Sequence, residues 1–210
     1  MRIEDKIRVC LPNGLDQDLV YLDYEDNTIY FYSDISTEST FKLKKCIIEL
    51  NKKIITENTS LHYSSHKKTK STSDIKNERI YLHINSPGGC ATSSFNLADF
   101  IKKNVIKINT VVEGIAASGG SVLSVCGHER FIQENSLFMI HQVSSGLGGR
   151  LSEIEDRVEN IKLIQKIMEG IYIKNSRGRL NQEKLKELIM NEKDLTALEA
   201  VQYGFCDEII

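Results

Sequence analysis

The sequence has no tryptophan, only two prolines, and no apolar run approaching the roughly eighteen residues of a membrane-spanning helix. No membrane partner is therefore expected. Its five cysteines, Cys10, Cys46, Cys90, Cys126 and Cys206, are odd in number and form no Cys-x-x-Cys pair. That spacing fits neither a disulfide framework nor a zinc site and points to a reducing compartment. Charge of one sign is also missing: 27 basic against 29 acidic side chains leave a net charge of −2. No global field draws such a chain onto nucleic acid or an anionic surface, so neither is expected as a partner. The start, Met1 to Cys10, is charged and unlike a secretory leader, and a cytoplasmic protein is expected. The glycine-rich stretch Gly146-Leu147-Gly148-Gly149-Arg150 lacks the Gly-Lys-Ser/Thr ending that holds nucleotide phosphates, and no Gly-x-Gly-x-x-Gly follows a strand. No cofactor is predicted.

What is present suits one globular domain over 1–210, since 40% hydrophobic and 27% charged residues can bury a core. Residues 1–35 read as short strands and turns, for example Thr28-Ile29-Tyr30-Phe31-Tyr32. Leu43, Ile47 and Leu50, with Phe41 and Ile48 beside them, mark an amphipathic helix. From 51 to 78 the chain is dominated by Ser, Thr, Lys, Asn and His, with little apolar surface to offset the entropy of ordering it, and is expected to be an exposed insertion. His62 and His66 stand four apart in it but lack further ligands at metal-binding spacing. Strand, turn and helix then repeat. Arg79–Asn85 leads into Ser86-Pro87-Gly88-Gly89 and a helix over 92–102. Ile106–Val112 leads through Gly114 into Ala116-Ala117-Ser118-Gly119-Gly120 and a second helix ending near Gly127. Leu137-Phe138-Met139-Ile140 is a further strand stopping at His141. Between Leu151 and Ile173 apolar residues step by three or four, which predicts a helix of about six turns. Asn181 is placed to cap a shorter helix, and Thr196-Ala197-Leu198-Glu199 has capping-box spacing.

Ser118 is the sharpest chemical signal. It stands among small neighbours at a strand-to-helix turn, where a substrate backbone can approach and helix N–H groups point outward. Those are the requirements of a nucleophile, although a lone serine so placed more often caps a helix. Ser121 and Ser124 compete as candidates but are expected inside the helix, where a hydroxyl faces packing or bonds back to a carbonyl. A nucleophilic serine needs a base, and His141 ends a buried strand 23 residues on. A lone histidine there is more often a satisfied polar residue; His83 and His128 are weaker candidates. From residues alone this is an α/β domain with a candidate Ser/His hydrolase site.

Four segments in register carry a resemblance. They are Ile84-Asn85-Ser86-Pro87-Gly88-Gly89, Gly114-Ile115-Ala116-Ala117-Ser118-Gly119-Gly120, Asn135-Ser136-Leu137-Phe138-Met139-Ile140-His141-Gln142, and Leu195-Thr196-Ala197-Leu198-Glu199-Ala200-Val201-Gln202-Tyr203-Gly204 on to Asp207. Over about residues 79–210 the chain resembles the ClpP family of self-compartmentalising serine peptidases. The resemblance implies a crotonase-like α/β fold, a superhelix of repeated strand-strand-helix units with a long protruding handle helix. It implies Ser118 as nucleophile, His141 as general base, and the N–H groups of Gly88 and Gly119 as oxyanion hole, with Gly89 close behind Gly88. The family's orienting aspartate falls at Glu192, a departure, with Asp194 two residues on. Glutamate serves if the backbone sits back by about one C–C bond, roughly 1.5 Å. The resemblance further implies a homo-oligomer of stacked rings acting on peptides or unfolded chains, with any AAA+ ATPase unfoldase a separate partner. The amino-terminal 35 residues do not show the family's usual docking pattern for such a partner. Two other readings stay open: a catalytically silent structural subunit, and an acyl-CoA enzyme on the same fold, which the Ser118 and His141 pair disfavours.

Overall fold

The computed structural model of the chain describes residues 21–64 and 78–210. Expectations for residues 1–20 and for His66 lie outside the described residues, as does the His62 side chain. The first hairpin pairs β1 (Tyr21–Glu25) with β2 (Thr28–Tyr32) around a tight turn at Asp26, whose φ of +52° is one an Asp tolerates. Alternation in β2 sends Ile29 and Phe31 into the core and leaves Tyr30 and Tyr32 on the opposite face.

The helix that follows, α1 (Thr37–Ser64), buries Leu43, Ile47, Leu50 and Ile54 along one stripe, while Phe41 and Ile48 turn outward. It runs further than expected. The polar stretch after Asn51 continues the helix as far as Ser64, because its Lys, Glu and Ile residues extend a helix that Leu43 to Leu50 have already nucleated on the core. The Asn51 side chain is also tied by reciprocal amide hydrogen bonds to Asn104.

Two strand-to-helix units build the centre. β3 (Arg79–Ser86) leads into α2 (Ala91–Lys103), and β4 (Lys107–Ala117) into the short α3 (Gly119–Ser124). β2, β3 and β4 are parallel and adjacent, and α1, α2 and α3 cover one face with Leu97, Ile101, Val122 and Leu123 in a single apolar cluster. The three-residue β5 (Arg130–Ile132) pairs with β4 and, on its other side, with the carboxy-terminal β8 (Glu208–Ile209). β6 (Leu137–Met139) leaves that plane, pairing with the end of β4 and with β7 (Asp194–Thr196). Among the described residues the sheet thus has eight strands and a branch at the end of β4.

The long helix α4 (Leu151–Asn175) agrees with the periodicity, but only Met168 and Tyr172 on it are buried. Leu151 is 73% exposed and Leu163 57% exposed, so large apolar side chains on it stand open to solvent, while Ile154, Val158, Ile161 and Ile164 are half-buried. α5 (Gln182–Asn191) is capped by Asn181, whose Oδ1 accepts from the Lys184 N–H at 2.8 Å. α6 (Ala197–Gln202) carries the Thr196–Glu199 capping box. One buried ion pair fastens the carboxy-terminal part: Arg130, 1% exposed, binds Asp207 and the carbonyls of Asn175 and Gly204. The whole is a mixed α/β fold, with a sheet faced by helices.

Candidate active site

Everything assigned to chemistry gathers at the carboxyl end of β4. Ser118 follows that strand and precedes α3, and its backbone takes φ +51° and ψ −119°, a region that costs a non-glycine residue of order 1–3 kcal/mol. Neighbouring groups hold it there. The Ser118 N–H donates to the Met139 carbonyl of β6 at 3.0 Å, and its carbonyl accepts from the N–H groups of Ser121 and Val122 and from the Ser121 hydroxyl at 2.6 Å. Ser121 Oγ lies 2.7 Å from the hydroxyl of Tyr172, a fully buried side chain from the long helix. Burial pushes the Tyr172 phenol far above its ordinary range, so it stays a neutral donor. A sharp turn that raises one serine at a strand's end is the arrangement of a nucleophile elbow.

Facing it is the Pro87-Gly88-Gly89 turn. Gly88 has φ +97°, and a Cβ there would lie 2.6 Å from the Ala117 carbonyl, 2.7 Å from the Gly119 nitrogen and 2.7 Å from the Ser118 Cβ. Only glycine permits that approach. Ile35 pins the turn from the other side: its N–H donates to the Gly88 carbonyl at 2.7 Å, and its carbonyl accepts from the Cys90 N–H at 2.8 Å. The Gly88 N–H donates to Ser86 Oγ at 3.2 Å, and Ser86 Oγ donates to the Ser33 carbonyl. Of the two glycines expected to compete for the oxyanion, Gly88 therefore has an intramolecular acceptor. The Gly89 nitrogen lies 3.4 Å from where a Cβ on Gly119 would be, which brings Gly89 and Gly119 side by side.

His141 emerges from β6, two residues beyond Met139, and is 8% exposed. The backbone bond between Ser118 and Met139 thus puts serine and histidine at neighbouring strand ends. Burial lowers the His141 pKa below the usual imidazole value, opposed by the charge of Glu192 and a hydrogen bond to the Gln142 backbone. The neutral imidazole, the form that accepts a proton, is favoured. Its Nδ1 is buried and has no hydrogen-bond partner among the described residues.

β6 and β7 are antiparallel, and their ladder ends with Met139 opposite Asp194; His141 lies two residues beyond Met139 and Glu192 two residues before Asp194, both outside the paired register. Glu192 ends α5 with φ +46°, and its carboxylate is solvent-exposed, close enough to influence His141 without bonding to it.

The other histidines lie elsewhere. His83 sits on the uncovered face of the sheet with Nδ1 2.7 Å from Glu113, which also accepts from Tyr32 and Gln133. His128 contacts Lys107. Among the described residues no group of three or more His, Cys, Asp or Glu side chains could hold a metal ion, and no helix is long and apolar enough to cross a membrane.

Ser86 and Tyr172 are supporting residues that sequence reasoning missed, whereas Ser121 lies in the helix and bonds back to the Ser118 carbonyl as expected. Tyr172 had no local signal, because 51 residues separate it from the hydroxyl it meets. With the elbow, the glycine turn and the histidine together at one strand end, comparison with known proteins is decisive: the family model for Clp protease matches residues 35–210, and the chain belongs to that family.

Proposed function

We propose that the chain is the serine-type endopeptidase subunit of a Clp-like protease, with Ser118 as nucleophile, His141 as general base and Glu192 as the orienting acid. One observation carries the reading: the strained Ser118 turn, packed under Gly88 and bonded through its N–H to the strand that ends at His141. In this reading Ser118 Oγ attacks a peptide carbonyl while His141 takes its proton, then returns it to the leaving amine. Charge on the tetrahedral oxygen is met by the N–H of Gly119 and by that of Gly89, or by Gly88 once its bond to Ser86 Oγ is released. Glu192 stabilises the imidazolium when it swings onto Nδ1, a hydrogen bond of the kind that tightens only when substrate is bound.

Membership of a family of peptidases supports hydrolysis of peptide bonds, and the exposed Leu151, Leu163 and Ile167 on the long helix support assembly through that helix into stacked rings. Without a nucleotide motif the chain would take peptides and loose chains by itself and rely on a separate AAA+ ATPase for folded substrates. The opposing reading, a silent structural subunit, draws on one feature, the unpartnered Nδ1 of His141 beside an exposed glutamate. The test is hydrolysis of an unstructured fluorescent protein substrate by the assembled wild type and by Ser118→Ala. Cleavage lost in the variant at unchanged assembly supports the peptidase. A wild type that assembles and leaves substrate intact supports the silent subunit.

A further inference from the structure

A backbone at φ +51° and ψ −119° persists at Ser118 only because its surroundings over-determine it. The two peptide groups that flank the residue are held separately. On the amino side the Ser118 N–H donates to the Met139 carbonyl at 3.0 Å. On the other side the Ser118 carbonyl accepts from the N–H groups of Ser121 and Val122 at 3.1 and 3.2 Å, the ordinary bonds of a helix start. It also accepts from the Ser121 hydroxyl at 2.6 Å, the shortest of these bonds.

A hydroxyl has one proton to give, and that of Ser121 points at the Ser118 carbonyl. In the 2.7 Å contact between Ser121 Oγ and the Tyr172 hydroxyl the phenol is therefore the donor. Two hydroxyls in series end on the carbonyl of the serine, and each bond polarises the next. The Tyr172 oxygen itself lies 3.4 Å from that carbonyl, too far to replace Ser121. Both side chains are 0% exposed, so solvent does not compete for these protons.

The phenol is braced in turn. Its ring meets Phe205 edge to face with centroids 5.7 Å apart, and Phe205 stacks on Phe138 at 4.9 Å. Phe138 precedes Met139 in β6. One strand thus fixes Ser118 twice: directly at its N–H, and through three rings and two hydroxyls at its carbonyl. Ser124 gives the contrast. It lies three residues after Ser121 in the same short helix and is equally buried, yet its hydroxyl has no hydrogen-bond partner among the described residues.

On the serine-peptidase reading above, we propose that Tyr172 and Ser121 are positioning residues of that reaction: Tyr172, acting through Ser121, holds the Ser118 backbone in the turn that presents Oγ to the substrate. Both lie in the core and act through the Ser118 backbone. Loss of one neutral hydrogen bond shifts a conformational equilibrium by about 2- to 12-fold, and a serine that leaves the turn is out of line for attack.

The test is fluorophosphonate labelling of Ser118 over a range of probe concentrations, which separates the maximal rate from the concentration that gives half of it. The variants are Tyr172→Phe, Ser121→Ala, their double variant and Ser124→Ala, with Tm recorded for each. The expected maximal rate is about 3- to 12-fold lower in Tyr172→Phe and in Ser121→Ala, with the half-maximal concentration unchanged. Because Tyr172 acts through Ser121, the double variant labels no slower than Ser121→Ala, and Ser124→Ala keeps the wild-type rate. A role in packing alone would lower Tm and leave the folded variants labelling at the wild-type rate. That result overturns the inference and leaves the peptidase reading standing, as does a double variant whose loss is the product of the two single losses. A folded wild type that takes no label removes the peptidase reading, and the inference falls with it.

Discussion

Replacing Gly88 by alanine probes the contact on which the site depends. The new methyl would sit 2.6 Å from the Ala117 carbonyl and 2.7 Å from both the Gly119 nitrogen and the Ser118 Cβ, whereas ordinary contact begins at 3.4 Å. The turn and the elbow must separate by about 0.8 Å, and none of the three obstructing atoms is the far end of a flexible side chain. The φ of +97° adds strain that a side chain resists. Overpacking of this kind costs about 1–3 kcal/mol, which lowers Tm by about 2–12 °C in a protein of this size. A displacement near 1 Å at a reacting group costs on the order of 100-fold in rate. The assay is the second-order rate of Ser118 labelling by a fluorophosphonate, with Tm measured alongside. Gly146→Ala, where a Cβ meets nothing within 4 Å, is the control and keeps its rate. Labelling of Gly88→Ala within a factor of three of wild type would refute the claim that this contact sets the geometry of the nucleophile.

Two further outcomes test other parts of the structure. Burial depresses the His141 pKa and Glu192 opposes it, so activity persists above that depressed value and is lost as pH falls through it. Glu192→Gln removes the opposing charge, so the acid limb of kcat/KM against pH moves further down, and kcat falls by on the order of 10²–10⁴-fold; Asp194→Asn, opposite Met139, changes neither, and a reversed pattern would exchange the two acids. Arg130→Ala removes the buried guanidinium and its hydrogen bonds while Asp207 keeps Arg177, which costs about 1.5–3 kcal/mol and lowers Tm by about 3–12 °C by calorimetry; a drop under about 2 °C would remove Arg130 as the fastening of the carboxy-terminal segment.

Much of this site was legible in the sequence because its constraints are local. Ala116 to Gly120 spells out a turn with no room for large side chains, and the apolar run before His141 marks a strand that delivers one polar residue to its end. Glu192 was legible only through family resemblance, with Asp194 beside it as the alternative, and the paired β6–β7 register stops at Met139 and Asp194, short of His141. Other features arise from contacts distant in sequence. The bond from Gly88 to Ser86 Oγ, which favours Gly89 as the freer donor, depends on the curl of the turn. The Tyr172 clamp depends on a helix packing back across the sheet. β5 went unrecognised because it has three residues and opens with an arginine, whose charge conceals that it is buried. α1 was cut short for the converse reason: its distal residues are polar, but they continue a helix already begun, and Ile54 still reaches the core.

The central claim is that His141 activates Ser118, and fluorophosphonate labelling of the purified protein tests it most directly. Mass spectrometry identifies the modified residue, with Ser118→Ala and His141→Ala as comparisons. The account predicts a single adduct on Ser118, absent from Ser118→Ala and at least about 100-fold slower in His141→Ala. A folded, assembled wild type that takes up no label, or one that labels Ser118 equally fast without His141, would contradict it.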